Sequence, residues 1–249
     1  MNNTFKHYAR RIKNDAKDLR TYLELTFEGD VVEKETDFTK KVLKPVLLLH
    51  GFGTTRKSVS ILEGRLRDDK FDVFSMDLGG FMGRFNTRGI DTLAEVVKEK
   101  IELLQEKFHI GKIAIVGHSK GGLIGRYYVT FLGGDKNVHT LITLGTPHGG
   151  SWLALFASLT VVGIVARSVW QMIPYSRFMK RLNGTLIPSS VRTFSIYSTD
   201  DTVTSPEKGK YNFPAGTTHI KNIQLEGYTH TDYLVKTGVY EVVFNCLNV

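Results

Sequence analysis

Residues 112–129 read KIAIVGHSKGGLIGRYYV and decide the fold. An apolar run typical of a buried strand leads directly into Gly117-His118-Ser119-Lys120-Gly121, and a helical pattern follows. A GxSxG pentapeptide arises easily by chance, but a nucleophile elbow also needs a tight strand-to-helix turn with small residues beside a strained serine. This context supplies both features, so we predict that Ser119 is a nucleophile. The alternative is a serine in a glycine-rich turn without chemistry.

Similar apolar runs alternate with longer helical patterns along the rest of the chain. Runs such as VLLL and IAIV are apolar throughout, as expected for strands that helices cover on both faces. The alternation predicts an α/β fold with a mostly parallel central sheet flanked by helices. The predicted strands are residues 45–49, 71–76, 112–116, 139–144, 191–197 and 220–225, and the helices between them are residues 58–67, 90–108 and 123–131.

Two backbone N–H groups are candidates for an oxyanion hole. The first strand ends in LLLHGFG, residues 47–53, where glycines let the backbone turn its N–H groups inward. The helix that begins beside Ser119 points its positive end toward a developing negative charge. We therefore assign the two donors to the backbone N–H groups of Phe52 and Lys120.

A serine nucleophile needs a histidine base and an acid that orients the base. In α/β-hydrolases the order is serine, acid, histidine, which leaves His219 and His230 among the eight histidines. His219 opens an apolar run, whereas His230 lies in GYTHTDYL after that run, where a loop projects it over the sheet. We predict His230. The strand VRTFSIY runs into STDDTVTSP, so Asp200 and Asp201 are both candidate acids.

The chain resembles bacterial lipases and esterases of the α/β-hydrolase superfamily, including triacylglycerol lipases. The matching segments lie between residues 45 and 234 in the family's order: LLLHGFG, IVGHSKGGLIGRYY, LITLGTPHGGS, IYSTDDTVTSP and GYTHTDYL. The resemblance implies a serine carboxylic-ester hydrolase that works through an acyl-enzyme without a cofactor or metal. It favours Asp201 over Asp200 as the acid and supports His230 as the base.

Composition indicates one domain over residues 1–249, which contain a single cysteine and a formal net charge of +8. Residues 1–41 form a predicted helical extension in which residues 5–23 are amphipathic, packed on the domain or on a membrane surface. The first twenty residues lack the apolar core of a signal peptide. The expected location is the cytoplasm, and peripheral association with a membrane is compatible with it. The basic residues form no nucleic-acid-binding module.

Residues 150–188 are expected to form a lid or cap, because an insertion after the strand that ends near residue 144 lies over the carboxyl ends of the strands. A buried core helix is the alternative for the uncharged residues 152–166. Residues 136–199 contain no acid and six basic residues, which predicts a cationic mouth that favours anionic lipid surfaces. The predicted acyl-binding side chains are Trp152, Leu155, Phe156 and Trp170.

Two other functions stay open on the sequence. An acyltransferase uses the same residues but lets an alcohol or amine replace water. A catalytically silent hydrolase fold uses residues 1–27 and 152–180 to bind a membrane or a partner. No paired cysteines, HExxH or glycine-rich phosphate motif indicates zinc or a nucleotide. Asp200, Asp201 and Asp232 are weak candidates for calcium ligands.

Overall fold

The computed structural model describes residues 44–79, 86–152, 154 and 166–249. Their centre is a six-stranded sheet in the order β2-β1-β3-β4-β5-β6, in which every neighbouring pair is parallel. The strands are β1 (Pro45–Leu49), β2 (Asp72–Ser75), β3 (Ile113–His118), β4 (Val138–Leu144), β5 (Arg192–Ser198) and β6 (Ile220–Leu225). The predicted α/β-hydrolase fold is confirmed.

Helices pack on both faces of this sheet. The described helices are α1 (Ser60–Asp68), α2 (Ile90–Phe108), α3 (Lys120–Phe131), α4 (Arg167–Met172), α5 (Arg177–Asn183), α6 (Pro206–Gly209), α7 (Asp232–Val235) and α8 (Thr237–Leu247). Leu47 and Leu49 belong to one apolar cluster with α2 and α3, whereas Val46 and Leu48 belong to the other with α1 and α8. Successive strand residues point to opposite faces, so a wholly apolar strand is what two helical layers require.

The strand order places the loops that matter. The order in which successive strands join the sheet reverses at β1, because β2 lies on one side of it and β3, the next strand, lies on the other. Open α/β sheets bind ligands outside the carboxyl ends of the strands at such a switch point. Phe52 follows β1 and Ser119 follows β3, so both lie at this position.

Two sequence predictions lie wholly or partly outside the described residues. The amphipathic helix over residues 5–23 is outside them, and so is most of the uncharged segment over residues 152–166. Residues 167–188 of the predicted lid form α4, α5 and their connections. Among the described helices, none has both the length and the apolarity needed to cross a membrane.

Candidate active site

The turn from β3 into α3 is strained at the predicted nucleophile. Ser119 has φ 53° and ψ −123°, a combination that a residue with a side chain rarely adopts. A Cβ on Gly117 would lie 2.5 Å from the backbone N of Gly122, and one on Gly121 would lie 2.3 Å from the carbonyl O of Leu49. Both glycines of the GxSxG segment are therefore required because the backbone passes too close for any larger residue.

Hydrogen bonds from the neighbouring strand hold this conformation. The Ser119 N–H donates to the Leu144 carbonyl at 2.8 Å. The Ser119 carbonyl accepts from Thr146 Oγ1 at 2.9 Å and from the Gly122 N–H at 3.1 Å. The backbone polar groups of the serine are thus satisfied by β4, the loop after it and α3, which leaves the strain compensated by tertiary contacts.

His230 and Asp201 form a direct pair. The His230 Nδ1 lies 2.8 Å from Asp201 Oδ2, and the Asp201 side chain is fully buried. The other carboxylate oxygen accepts from the backbone N–H groups of Val203 at 2.9 Å and Thr204 at 2.8 Å. Burial disfavours the charged carboxylate, but the hydrogen bond from His230 and those from the backbone outweigh it and lower the pKa of Asp201.

The remaining candidates lie elsewhere. Asp200 is exposed and accepts hydrogen bonds from Thr199 Oγ1 at 2.7 Å and from the Gly227 N–H at 2.6 Å, so it ties two loops together. His219 precedes β6 at the amino end of the strand, and its Nε2 donates to the Ile187 carbonyl at 2.9 Å. Since Ser119 lies at the carboxyl edge of the sheet, His219 is at the opposite edge.

Two aromatic side chains that sequence reasoning did not select surround His230. The buried His118 donates through Nε2 to the His230 carbonyl at 3.0 Å, and the two rings are 4.7 Å apart. Tyr233 meets the His230 ring edge-on at 6.2 Å. Burial and the nearby Asp201 raise the pKa of Tyr233, which keeps its hydroxyl neutral. His118 was visible inside the GxSxG segment, but its contact with a loop 112 residues away was not.

An apolar cavity of about 230 Å³ joins the predicted nucleophile and base. Trp152 and Trp170 do not line it; each is 52% exposed, although Ser151 and Val169 beside them do line it. Val169 and Trp170 are successive residues of α4, and one helical step turns a side chain by about 100°, so these two side chains face different ways. Leu155 and Phe156 lie outside the described residues. The lining residues among those described are Phe52, Ser119, Pro147, Ser151, Ala154, Val169, Met172, Val203, Thr204 and His230.

The predicted oxyanion donors flank Ser119. Phe52 lines the cavity, and α3 begins at Lys120, whose N–H belongs to the first helical turn and has no partner within the helix. His50, before Phe52, accepts the Leu78 N–H on Nε2 at 3.2 Å, which fixes the loop after β1 against the loop after β2. Burial lowers the pKa of His50 to about 4, so this ring stays neutral and able to accept.

The three aspartates weighed as calcium ligands each have other partners. Asp232 Oδ2 accepts from both the backbone N and the Oγ1 of Thr229 at 2.7 Å. Asp200 and Asp201 are held by the loop and by His230 as described above. Within the described ranges no group of three or more acidic, histidine or cysteine side chains is arranged to hold a metal ion.

Buried histidines predict a loss of stability in acid. Burial lowers the pKa of His118 to about 3 and that of His50 to about 4, against an ordinary value of 6.5. Below about pH 6.5 these histidines bind protons in the unfolded chain but not in the folded chain. The free energy of unfolding therefore decreases as the pH is lowered, down to about pH 4 for His50 and about pH 3 for His118. The two together should reduce the free energy of unfolding by about 2–3 kcal/mol between about pH 6 and pH 5.

Urea unfolding at the two pH values measures this loss. His118→Gln should reduce this loss by about 1 kcal/mol, because it removes one buried neutral histidine, and His109→Gln, at an exposed position, is the control. An equal dependence in wild type and His118→Gln would contradict the assignment of this histidine as a neutral buried group.

The fold, the strained serine after β3 and the apolar cavity define an α/β-hydrolase of the lipase and esterase class. Solved structures agree in fold. The mature lipase BlEst2 of Bacillus licheniformis has a TM-score of 0.67 at 16% identity, over 88% of this chain and 96% of that one. Lipase B of Aspergillus fumigatus has a TM-score of 0.69 at 18% identity, over 88% and 56% of the two chains.

Sequence comparison then gives the family. A model of the palmitoyl protein thioesterase family matches residues 45–189, more than half of the chain, and the chain belongs to this family. It is 25% identical over 134 residues to the lysosomal thioesterase PPT2 homolog of Drosophila melanogaster, covering 54% of this chain and 46% of the relative. It is 32% identical over 120 residues to a triacylglycerol lipase of Pseudarthrobacter phenanthrenivorans, covering 45% and 35%. The match thus spans about half or less of these relatives' own length.

Proposed function

We propose that this protein is a serine hydrolase that cleaves acyl esters or thioesters through an acyl-enzyme. The observation that carries the proposal is that Ser119 and His230 line one apolar cavity while buried Asp201 holds His230 from behind at 2.8 Å. A catalytically silent fold has no need for a strained serine beside an acid-bound histidine, since the strained backbone costs stability.

We infer the catalytic roles of these residues from the hydrogen bonds. A carboxylate only accepts, so Nδ1 of His230 carries the proton and Nε2 is free to take the proton of Ser119 Oγ. The oxygen attacks the acyl carbon, and the resulting oxyanion is stabilised by the N–H groups of Phe52 and Lys120. Collapse of this tetrahedral intermediate breaks the bond between the acyl carbon and the leaving group. The alkoxide or thiolate is expelled and takes the proton from His230. Water then repeats these steps on the acyl-enzyme and releases the acid.

The acyl group belongs in the cavity because its lining is mainly apolar. Burying a CH₂ group contributes about 0.8 kcal/mol, so each further methylene that fits should improve kcat/KM by about fourfold. The relatives do not decide whether the leaving group is an alcohol or a thiol, since one is named a thioesterase and another a triacylglycerol lipase.

A matched substrate series tests the proposal. Oxygen and sulfur esters with identical acyl chains are compared over increasing chain length with wild-type enzyme, and the released acid is quantified. We expect kcat/KM to rise with acyl length and then to level off once the cavity is full. Absence of acid release from every oxygen ester and thioester, in a folded sample, would overturn the proposed function.

We also propose that the mouth of the site rests on anionic lipid surfaces. Lys208 lies between two exposed aromatic rings: its Nζ is 5.8 Å from the Trp152 ring and 5.4 Å from the Tyr175 ring. Trp152 follows Ser151 of the cavity lining, which puts these rings at the rim. Exposed Trp and Tyr rings beside a lysine suit the interface between lipid headgroups and acyl chains.

Not every charge of the acid-free stretch contributes to this rim. Lys136 precedes β4 and Arg192 opens β5, so both lie at the amino edge of the sheet, away from Ser119. Arg167 pairs with Asp91 at 2.8 Å. The structure therefore makes Lys208, outside that stretch, the sharper probe of lipid binding, and it makes Lys136 a matched control.

Lys208→Gln should weaken binding to anionic vesicles by about fivefold, because a lysine near such a surface contributes about 1 kcal/mol. Cosedimentation with phosphatidylserine-containing and neutral vesicles at low salt measures this. Lys136→Gln should bind like wild type, and high salt should reduce the preference. Equal binding of the wild-type protein to both kinds of vesicle would contradict the proposed contact with anionic lipid.

A further inference from the structure

The side chain of Lys120 is fully buried and does not line the cavity, although its backbone N–H is a predicted oxyanion donor. Its Nζ donates to the carbonyl oxygens of Asn86 at 2.7 Å and Arg88 at 2.6 Å. Burial alone lowers the pKa of this lysine to about 6. No carboxylate among the described residues pairs with the Lys120 ammonium group, so burial of this side chain is unfavourable for stability. A role other than stability would explain why a lysine lies here.

Asn86 connects Lys120 to the loop that carries the other predicted oxyanion donor, the Phe52 N–H. It is fully buried in a left-handed conformation with φ 43°. Its Nδ2 donates to the carbonyl oxygens of His50 at 2.9 Å and Gly51 at 3.0 Å. The Gly51 carbonyl belongs to the same peptide unit as the Phe52 N–H. Because a trans peptide is planar, fixing the direction of that carbonyl fixes the N–H in the opposite direction.

We propose that Lys120 and Asn86 form a brace that aims the Phe52 N–H at the oxyanion. Lys120 holds the backbone of Asn86, and the Asn86 amide holds the Gly51–Phe52 peptide. Both are positioning residues, since neither side chain reaches the reacting atoms. The inference rests on the proposed function and adds to it a specific means of preorganising the oxyanion hole.

Three variants test the brace. Lys120→Met keeps an unbranched side chain but removes the two hydrogen bonds that Nζ donates to Asn86 and Arg88. Asn86→Gly removes the amide and tolerates φ 43°, where alanine would be strained. Loss of a whole oxyanion donor lowers kcat about 10²–10³-fold, so loss of its alignment should lower kcat about tenfold to hundredfold with KM changed less than about twofold. The double variant should be no slower than the slower single, because both act on one peptide.

Arg126→Met is the matched control. Arg126 is another fully buried basic residue on α3 and donates through Nη2 to the Leu182 carbonyl at 2.7 Å, away from the loop after β1. Its kcat, corrected for the folded fraction, should stay within about twofold of wild type. Circular dichroism and thermal unfolding give that fraction for every variant.

The outcomes separate the brace from the proposed function. A folded Lys120→Met or Asn86→Gly with wild-type kcat overturns the brace, as do additive losses in the double variant or an equal loss in Arg126→Met. If Lys120→Met does not fold, Asn86→Gly decides alone. Turnover that is the same in wild type and Ser119→Ala overturns the proposed function itself, which is a different result from an active wild type whose brace variants are unimpaired.

Discussion

Ser119→Ala should lower kcat by about 10⁶-fold, since removing the nucleophile of a triad costs about that factor. The variant should also fail to react with a fluorophosphonate probe, because the probe forms its covalent bond to the activated hydroxyl. The fold should survive, as the hydrogen bonds that hold residue 119 come from its backbone N–H and carbonyl. Hydrolysis of the best substrate of the ester series and gel-based labelling measure the two effects.

Ser58→Ala provides the control for loss of a serine hydroxyl. Ser58 is buried outside the cavity lining and donates through Oγ to the Thr55 carbonyl at 2.8 Å. We expect normal labelling and turnover after correction for the folded fraction. Persistent labelling of Ser119→Ala would place the nucleophile at another residue and refute the assignment from the GxSxG segment.

Asp201→Asn should lower kcat by about 10⁴-fold. The asparagine amide can donate to Nδ1 of His230, which favours the tautomer with the proton on Nε2, and that nitrogen then cannot accept the proton of Ser119. The effect falls on the chemical step, so KM should change little. Steady-state kinetics on the same substrate measure the loss.

The adjacent aspartate makes a close comparison. Asp200→Asn changes the same functional group one residue earlier, at an exposed position, and should keep kcat within about twofold. If Asp200→Asn is the slower of the two, the pairing of Asp201 with His230 at 2.8 Å is not the one used in catalysis.

The local parts of the fold and site were predictable from sequence because they depend on near neighbours. Strand faces follow from continuous apolar runs such as Val46–Leu49, and the turn at Ser119 follows from the flanking Gly117 and Gly121. The structure has the six predicted strands, with β3 extended to His118, just before the serine. The order of segments left His219 and His230, and the position of His219 at the start of an apolar run favoured His230.

Contacts between distant segments were not predictable in the same way. Asp200 and Asp201 are equivalent in local sequence, and their separation depends on which carboxylate the chain turns inward after β5. Asn86 was not singled out because its amide meets residues 35 and 36 positions earlier. Trp152 and Trp170 are apolar enough for an acyl site, but the local sequence does not fix whether either side chain faces the cavity.

The sequence by itself determined the α/β class, the position of the turn at Ser119 and the candidate residues for a triad, because backbone periodicity and glycine sterics act over a few residues. Tertiary structure decided that Asp201 meets His230, that His118 holds the His230 loop, and that Lys120 holds Asn86, whose amide meets the Gly51–Phe52 peptide. Those contacts depend on how the loops after β1, β2, β3, β5 and β6 converge at one edge of the sheet, and no local pattern encodes that convergence.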